Sequence, residues 1–261
     1  MTQNIIKRLS QMTEKEKPLT DLHMHTKFCD GKSTPEEMVI SAIEKHLDIM
    51  GFSGHSYTFF DESYCMSKEG VEEYKAQIRA LQSKYSGKIK ILLGIEQDLY
   101  SLESTKEFDY TIGSVHYFKF NENYVPVDES ALILKNAADK YFGGDMLSLC
   151  EKYFEQVIEL KNMRPDIIGH IDLITKFNEN GELFDVNNPR YIAAWRKAVD
   201  ELLKLNVPFE YNTGAISRGV RATPYPHKSI RDYILANGGK LIRNSDAHHR
   251  DYICFKFYEE Y

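Results

Sequence analysis

The sequence lacks most of the features that mark secreted, membrane-bound or polyanion-coating proteins. Its four cysteines (Cys29, Cys65, Cys150 and Cys254) lie far apart and form no CxxC pair. That argues against a disulfide framework or a zinc ribbon and fits reduced thiols in a cytosol. None of them begins a Cys-x5-Arg loop, so a cysteine-nucleophile phosphatase is not indicated. No stretch approaches the roughly 18 uninterrupted apolar residues of a membrane span. The first turns carry charges and no apolar core, unlike a signal peptide, and a cytoplasmic protein is expected. Positive charge is also in short supply: 33 Lys and Arg stand against 39 Asp and Glu, a net of −6. A broad nucleic-acid surface needs clustered Lys and Arg, so nucleic acid is not an expected partner, although one small basic pocket remains open. Repeats, low-complexity tracts and Gly/Ser linkers are missing too. One domain over residues 1–261 is therefore expected, with 1–17 as a polar lead-in helix or arm.

What is present suits a globular enzyme. Hydrophobic residues make up 42% and charged residues 28% of 261 residues, enough for a sizeable core. Short apolar runs alternate with helical patterns. Strands are expected at Leu19–Thr26, Ile49–Ser53, Ile89–Glu96, Tyr110–Val115, Ile167–Ile171, Val207–Tyr211 and Lys240–Asn244. Helices are expected between them, one opening at Ser33-Thr34-Pro35-Glu36-Glu37 with proline just inside and acids in the first turn. A polar insertion follows Val115, and then helices near 131–141 and 146–163. Strands separated by helices imply right-handed crossovers and a mainly parallel sheet. About seven such units predict an α/β chain closed into a distorted barrel.

Metal-capable residues fall at the strand ends. His23 and His25 close the first run, and Asp30 follows in the loop. His55 comes after the second, Glu96 closes the third, and His116 follows the fourth. His170 sits in Gly169-His170-Ile171-Asp172, and Asp246 and His248 follow Asn244-Ser245. In a parallel barrel these ends meet on one face, and residues i and i+2 of a strand share a side. A single histidine after a strand is ordinarily structural or solvated, and an HxH pair alone says little. Six of the nine histidines at strand ends, with Glu96 and Asp246 beside them, make a different signal. A mixed His/Asp/Glu set suits zinc, manganese or iron(II) better than magnesium or calcium. Nine candidates exceed one tetrahedral site and would serve two or three divalent ions, with Glu96 as the bridging group. His46, His227 and His249 fall outside the pattern.

The order His23-Met24-His25-Thr26, Asp30-Gly31, His55, Gly94-Ile95-Glu96, Gly113-Ser114-Val115-His116, Gly169-His170-Ile171-Asp172 and Ser245-Asp246-Ala247-His248 resembles the PHP superfamily (polymerase and histidinol phosphatase). The Gly-Ser-Val-His motif, and Asn212-Thr213-Gly214 followed by Arg218, resemble its monofunctional histidinol-phosphatase branch. The resemblance implies a distorted (βα)7 barrel with a trinuclear centre. One ion would take His23, His25, Glu96 and Asp246; a second Glu96, His116 and His170; a third Asp30, His55 and His248. Some members have histidine where Asp30 stands. Catalysis would rest on His23, His25, Glu96, His116, Asp246 and His248. The expected reaction is hydrolysis of a small phosphate ester, L-histidinol phosphate as the best guess, within histidine biosynthesis. Metal-bound hydroxide would attack phosphorus.

Arg218 is the first choice for a phosphate clamp, because a guanidinium matches phosphate bidentately; Lys176 and Arg221 are further candidates. Asp172, two residues past His170, is expected to orient a ligand histidine from behind. Tyr57, Phe59 and Phe60 would wall the substrate or simply pack over the barrel mouth. Three other readings use the same residues: a nuclease or exonuclease, a protein-tyrosine phosphatase, and a catalytically silent metal-binding regulatory domain. A basic groove would favour the first, and the completeness of the ligand set counts against the last.

Overall fold

The structure, a computed structural model, describes residues 3–12 and 18–259. In chain order the elements are α1 (Gln3–Leu9), β1 (Thr20–Asp21), α2 (Pro35–Glu44), β2 (Ile49–Phe52), α3 (Lys68–Lys84), β3 (Lys90–Asp98), β4 (Tyr110–Ser114), β5 (Tyr117–Phe120), β6 (Asn123–Pro126), α4 (Ala131–Phe142), α5 (Met146–Ile158), α6 (Leu160–Met163), β7 (Ile167–Ile168), α7 (Pro189–Leu203), β8 (Phe209–Asn212), α8 (Gly214–Ser217), α9 (Lys228–Ala236) and β9 (Leu241–Asn244).

Seven parallel strands run in the order β1-β2-β3-β4-β7-β8-β9, the distorted (βα)7 barrel expected of this α/β chain. β1 and β9 form no regular ladder. The ring closes one step further on, where His25 N–H donates to Ala247 O at 2.9 Å and Ala247 N–H to His23 O at 3.1 Å. Closure therefore occurs at the level of the expected ligands.

Local sequence explains the framework. Thr34 and Glu37 form a reciprocal capping box on α2 with Pro35 in its first turn, an arrangement that stabilises a helix start by about 1 kcal/mol. On α7 the Asn188 side chain accepts from Arg190 N–H, with Pro189 in the first turn. On α3, Val71, Tyr74, Ile78 and Leu81 are buried at helical spacing and pack with Ile91, Leu93 and Ile95 of β3. The alternate residues of β3 point the other way. Leu92 joins an inner cluster with Leu22, Ile49, Tyr110, Ile112, Ile167 and Ile242. Period-two alternation thus separates an outer, helix-covered face from the barrel interior.

Tyr110 fills that interior. A Cβ on Gly94 would lie 2.3 Å from its ring, and one on Gly51 2.3 Å from its hydroxyl, so both strands need glycine where the tyrosine crosses. Its hydroxyl reaches Leu22 O at 2.5 Å and lies 3.1 Å from Phe52 O. Beneath it, Ile6 and Leu9 of α1 are buried in the same cluster.

Several boundaries differ from expectation. The first strand is shorter than 19–26: its regular ladder with β2 stops at Asp21. Beyond it the chain makes isolated bonds, Ser53 N–H to Met24 O at 3.0 Å on one side and the Ala247 pair on the other. The strand expected at 167–171 ends at Ile168, and Leu173–Thr175 turns as a short 3-10 helix. The polar insertion after Val115 is not irregular: β5 and β6 pair as an antiparallel hairpin, Tyr117 opposite Pro126 and Phe120 opposite Asn123. Asn121 adopts φ 52° at its turn, a conformation asparagine tolerates better than most side chains.

Candidate metal centre

All nine residues singled out at the strand ends gather above the Tyr110 layer, with Glu96 at their hub. Its Oε2 lies 3.2 Å from His23 Nε2, 3.5 Å from His25 Nε2 and 3.0 Å from His55 Nδ1. Its Oε1 lies 3.4 Å from His116 Nε2 and 2.9 Å from His170 Nε2. Asp246 Oδ1 approaches His25 Nε2 at 3.2 Å and His248 Nδ1 at 3.4 Å. Asp30 stands on the outer side, 3.0 Å from His248 Nε2, 3.6 Å from His25 Nδ1 and 3.7 Å from His55 Nε2.

Three groupings bring potential ligand atoms within 4.8 Å of one another: His25, Asp30, His55 and His248; His23, His25 and Glu96; and His55, Glu96 and His116. The first contains the expected Asp30–His55–His248 set, and the second lies within the expected His23–His25–Glu96–Asp246 set. In the third, His55, which meets Glu96 Oε2, takes the place foreseen for His170, which nonetheless shares Glu96 Oε1 with His116.

Chemistry favours cations here. Five imidazoles crowd one carboxylate that is almost wholly buried. His23 Nε2, His25 Nε2, Glu96 Oε2 and His170 Nδ1 are buried without a hydrogen-bond partner. Buried polar atoms without partners are costly, and inward-facing imidazole and carboxylate lone pairs are what a borderline-soft divalent ion completes. Electrostatics points the same way. Burial, together with neighbouring His248 and His55, pushes the His25 pKa down to about 3, leaving a neutral ring able to ligate. For Glu96, burial alone would raise the pKa, yet His23, His116 and His55 outweigh it and hold the carboxyl well below its usual range. The residues fit a group of divalent metal ions.

The strand-end loops are shaped for this. Asp246 adopts φ 48°, and a Cβ on Gly214 would lie 2.7 Å from Asp246 Cβ, so glycine is needed where that loop passes. Behind the ring nitrogens stand two carboxylates that the sequence reading did not single out. Asp98 accepts from His116 N–H at 3.0 Å and lies 3.3 Å from His116 Nδ1. Glu210 lies 2.6 Å from His23 Nδ1. Their signal in the sequence is slight: each is an acid inside or at the end of an apolar strand.

A cavity of about 290 Å³ opens over the cluster. Asp30, His55, Glu96, His116, His170, Asp246 and His248 form its base, with Tyr64, Tyr117, Asp61, Asp128, Lys176 and Arg218 around it. Arg218 Nη2 donates to Asp246 Oδ2 at 3.1 Å and Nη1 to His248 Nδ1 at 2.8 Å, which places the guanidinium beside the cluster as foreseen. Lys176 is present but pairs with Asp128 at 3.1 Å. Arg221 is elsewhere: buried, donating to Thr175 O and Oγ1 and lying over the Tyr225 ring, it braces a loop. Asp172 is not on a strand and meets no ligand histidine; its Oδ2 accepts from His227 N–H at 2.8 Å, because the chain has already turned away after Ile168. Phe60 stacks on Tyr124 at 3.8 Å and packs at the rim, and the aromatic walls are instead Tyr64 and Tyr117.

A family model described as the PHP domain matches residues 21–216. The chain belongs to the PHP-domain family. Asp246 and His248 lie beyond the matched segment, and the fold brings them to the centre that the family motifs begin. A Schizosaccharomyces pombe protein named "Probable histidinol-phosphatase" is 27% identical over 255 residues, covering 87% of this chain and 79% of that protein. Among solved structures, a candidate histidinol phosphatase of Listeria monocytogenes superposes with a TM-score of 0.76 at 21% identity, over 89% of this chain and 96% of that one. The histidinol phosphate phosphatase of Lactococcus lactis, solved with zinc, L-histidinol and phosphate, gives 0.63 at 21% identity, over 89% and 87%. At that identity both likenesses establish the PHP fold.

Proposed function

We propose that this PHP-domain protein is a metal-dependent phosphomonoesterase that hydrolyses L-histidinol phosphate to L-histidinol and phosphate. The carrying observation is the buried Glu96 ringed by five imidazoles at the base of a small cavity with Arg218 at its side. The named relatives support the choice of substrate. His23, His25, Glu96 and Asp246 would hold one ion, Glu96 with His116 and His170 a second, and Asp30, His55 and His248 a third. Zinc, manganese and iron(II) all suit these donors.

When bound, such ions lower the pKa of water and neutralise phosphoryl oxygens. The remaining work falls to the protein's own groups. Arg218 keeps Asp246 and His248 in place and has guanidinium N–H groups beside the cavity, where they can pair with non-ester phosphate oxygens. Tyr64 and Tyr117 restrict the cavity to a small organic leaving group, and their side chains help to exclude bulk water. Lys176 adds positive charge, moderated by Asp128.

Purified metal-loaded protein should be compared on histidinol phosphate, p-nitrophenyl phosphate, a phosphotyrosine peptide and short single-stranded DNA. The highest kcat/KM is expected for histidinol phosphate. A clear preference for DNA or for the peptide would overturn the assignment, and fewer than about two ions per chain would count against a trinuclear centre.

A further inference from the structure

We infer that Glu210 is a positioning residue for the metal centre: it selects the His23 nitrogen that faces the ions and anchors the His170 backbone. This inference rests on the metal-centre reading above. Glu210 lies on β8 between Phe209, which packs outward against the helices, and Tyr211. Its carboxylate therefore points into the barrel, and it is almost wholly buried.

Each carboxylate oxygen meets two donors. Oε1 lies 2.6 Å from His23 Nδ1 and 2.9 Å from Asn244 Nδ2. Oε2 accepts from His170 N–H at 3.0 Å and from Asn212 Nδ2 at 3.0 Å. The amide orientations are not free choices. Asn244 Oδ1 accepts from Leu22 N–H at 3.0 Å, and Asn212 Oδ1 accepts from Gly214 N–H at 2.8 Å. Both side-chain oxygens are committed elsewhere, so both amides must present N–H groups to Glu210.

With the lone pairs of both oxygens engaged, the carboxylate can act only as an acceptor. His23 Nδ1 must then carry a proton. That leaves Nε2 as the ring atom available to a metal ion: it faces Glu96 Oε2 at 3.2 Å and Asp246 Oδ1 at 3.8 Å and has no hydrogen-bond partner among the described residues. The same carboxylate fixes the main chain of His170, and through Asn212 it reaches Asp246 Oδ2 at 3.3 Å. One buried group thereby ties together residues from three strand ends remote in sequence.

Glu210→Gln tests this directly, because the glutamine amide would oppose donors on one side and break part of the set. In the zinc-loaded protein its metal affinity, read by competition with a chromophoric chelator, should fall about 10- to 100-fold. kcat should fall with it, while KM for p-nitrophenyl phosphate stays within about threefold, since Arg218 is untouched. Unchanged affinity and kcat would overturn the inference, as would a loss of thermal stability alone. Wild-type protein is measured alongside. If it holds no metal, the phosphoesterase reading falls together with this one; if it holds metal and the variant matches it, only the role of Glu210 falls. A measurement on the wild type avoids dependence on variant folding. Long-range proton–nitrogen correlation in the zinc-loaded protein should show His23 protonated at Nδ1 and metal-bound at Nε2. The reverse assignment would overturn the inference.

Discussion

The floor and the rim of the centre are built from the same residue types yet held in different ways. On the floor, His23 and Glu96 have no side-chain exposure, and His23 is backed by a carboxylate that is itself saturated with donors. On the rim, Asp30 is 33% and His248 16% exposed, and Arg218, which braces Asp246 and His248, is 29% exposed. Groups with fixed partners in a dry interior hold their geometry, whereas half-solvated groups exchange partners with water. Ions held by the floor should therefore be retained, and an ion held by the rim should come and go.

The largest disruption of this contrast is Glu96→Gln, which removes the charge shared by both sides. Turnover should fall by more than the roughly 100-fold that losing an outer partner costs, and elemental analysis should show metal lost from floor and rim together. Asp30→Asn should separate the two sides. Metal content should fall by roughly one ion per chain with the remainder retained, and metal release into a chelator, two-phased in the wild type, should become single-phased. A variant that lost all its metal would show that floor and rim are one unit. Arg218→Lys should raise KM for the phosphate ester by about tenfold, because an ammonium cannot make the paired contacts of a guanidinium; steady-state kinetics reads it. The smallest effect is expected from below. Tyr110→Phe deletes the hydroxyl bonded to Leu22 O and should cost about 1 kcal/mol of stability, a Tm drop of a few degrees, with metal stoichiometry unchanged.

The sequence was legible where a chemically distinctive side chain follows a strand. Nine candidates could be read from residue type and placement, since a parallel barrel brings strand ends together whatever the details of its loops. The barrel itself was readable from alternating apolar and amphipathic stretches. What stayed hidden depends on partners far away in sequence. Glu210 meets His23 across 187 positions, and no local spacing marks an acid whose donors come from four different segments. Arg221 stood behind Arg218 as a phosphate-clamp candidate in the sequence, and packing shows that it braces Thr175 while Arg218 stands beside the cluster. Asp172 was placed on a strand because Ile167–Ile171 is apolar, but the 3-10 turn at Leu173–Thr175 redirects its carboxylate to His227. The β5–β6 hairpin was not legible because its strands are only four residues each and its turn uses asparagine, Asn121 at φ 52°, rather than glycine.

Tyr110 carries one more consequence. With its ring, Leu92 and Ile112 stacked inside the barrel and Ile6 and Leu9 stoppered beneath, the lower end is closed to traffic. Ions, substrate and products must then share the upper doorway. Phosphate lodged there would act as a cork on the ions below it, so the last product to leave would also govern how fast the protein could be stripped of its metals.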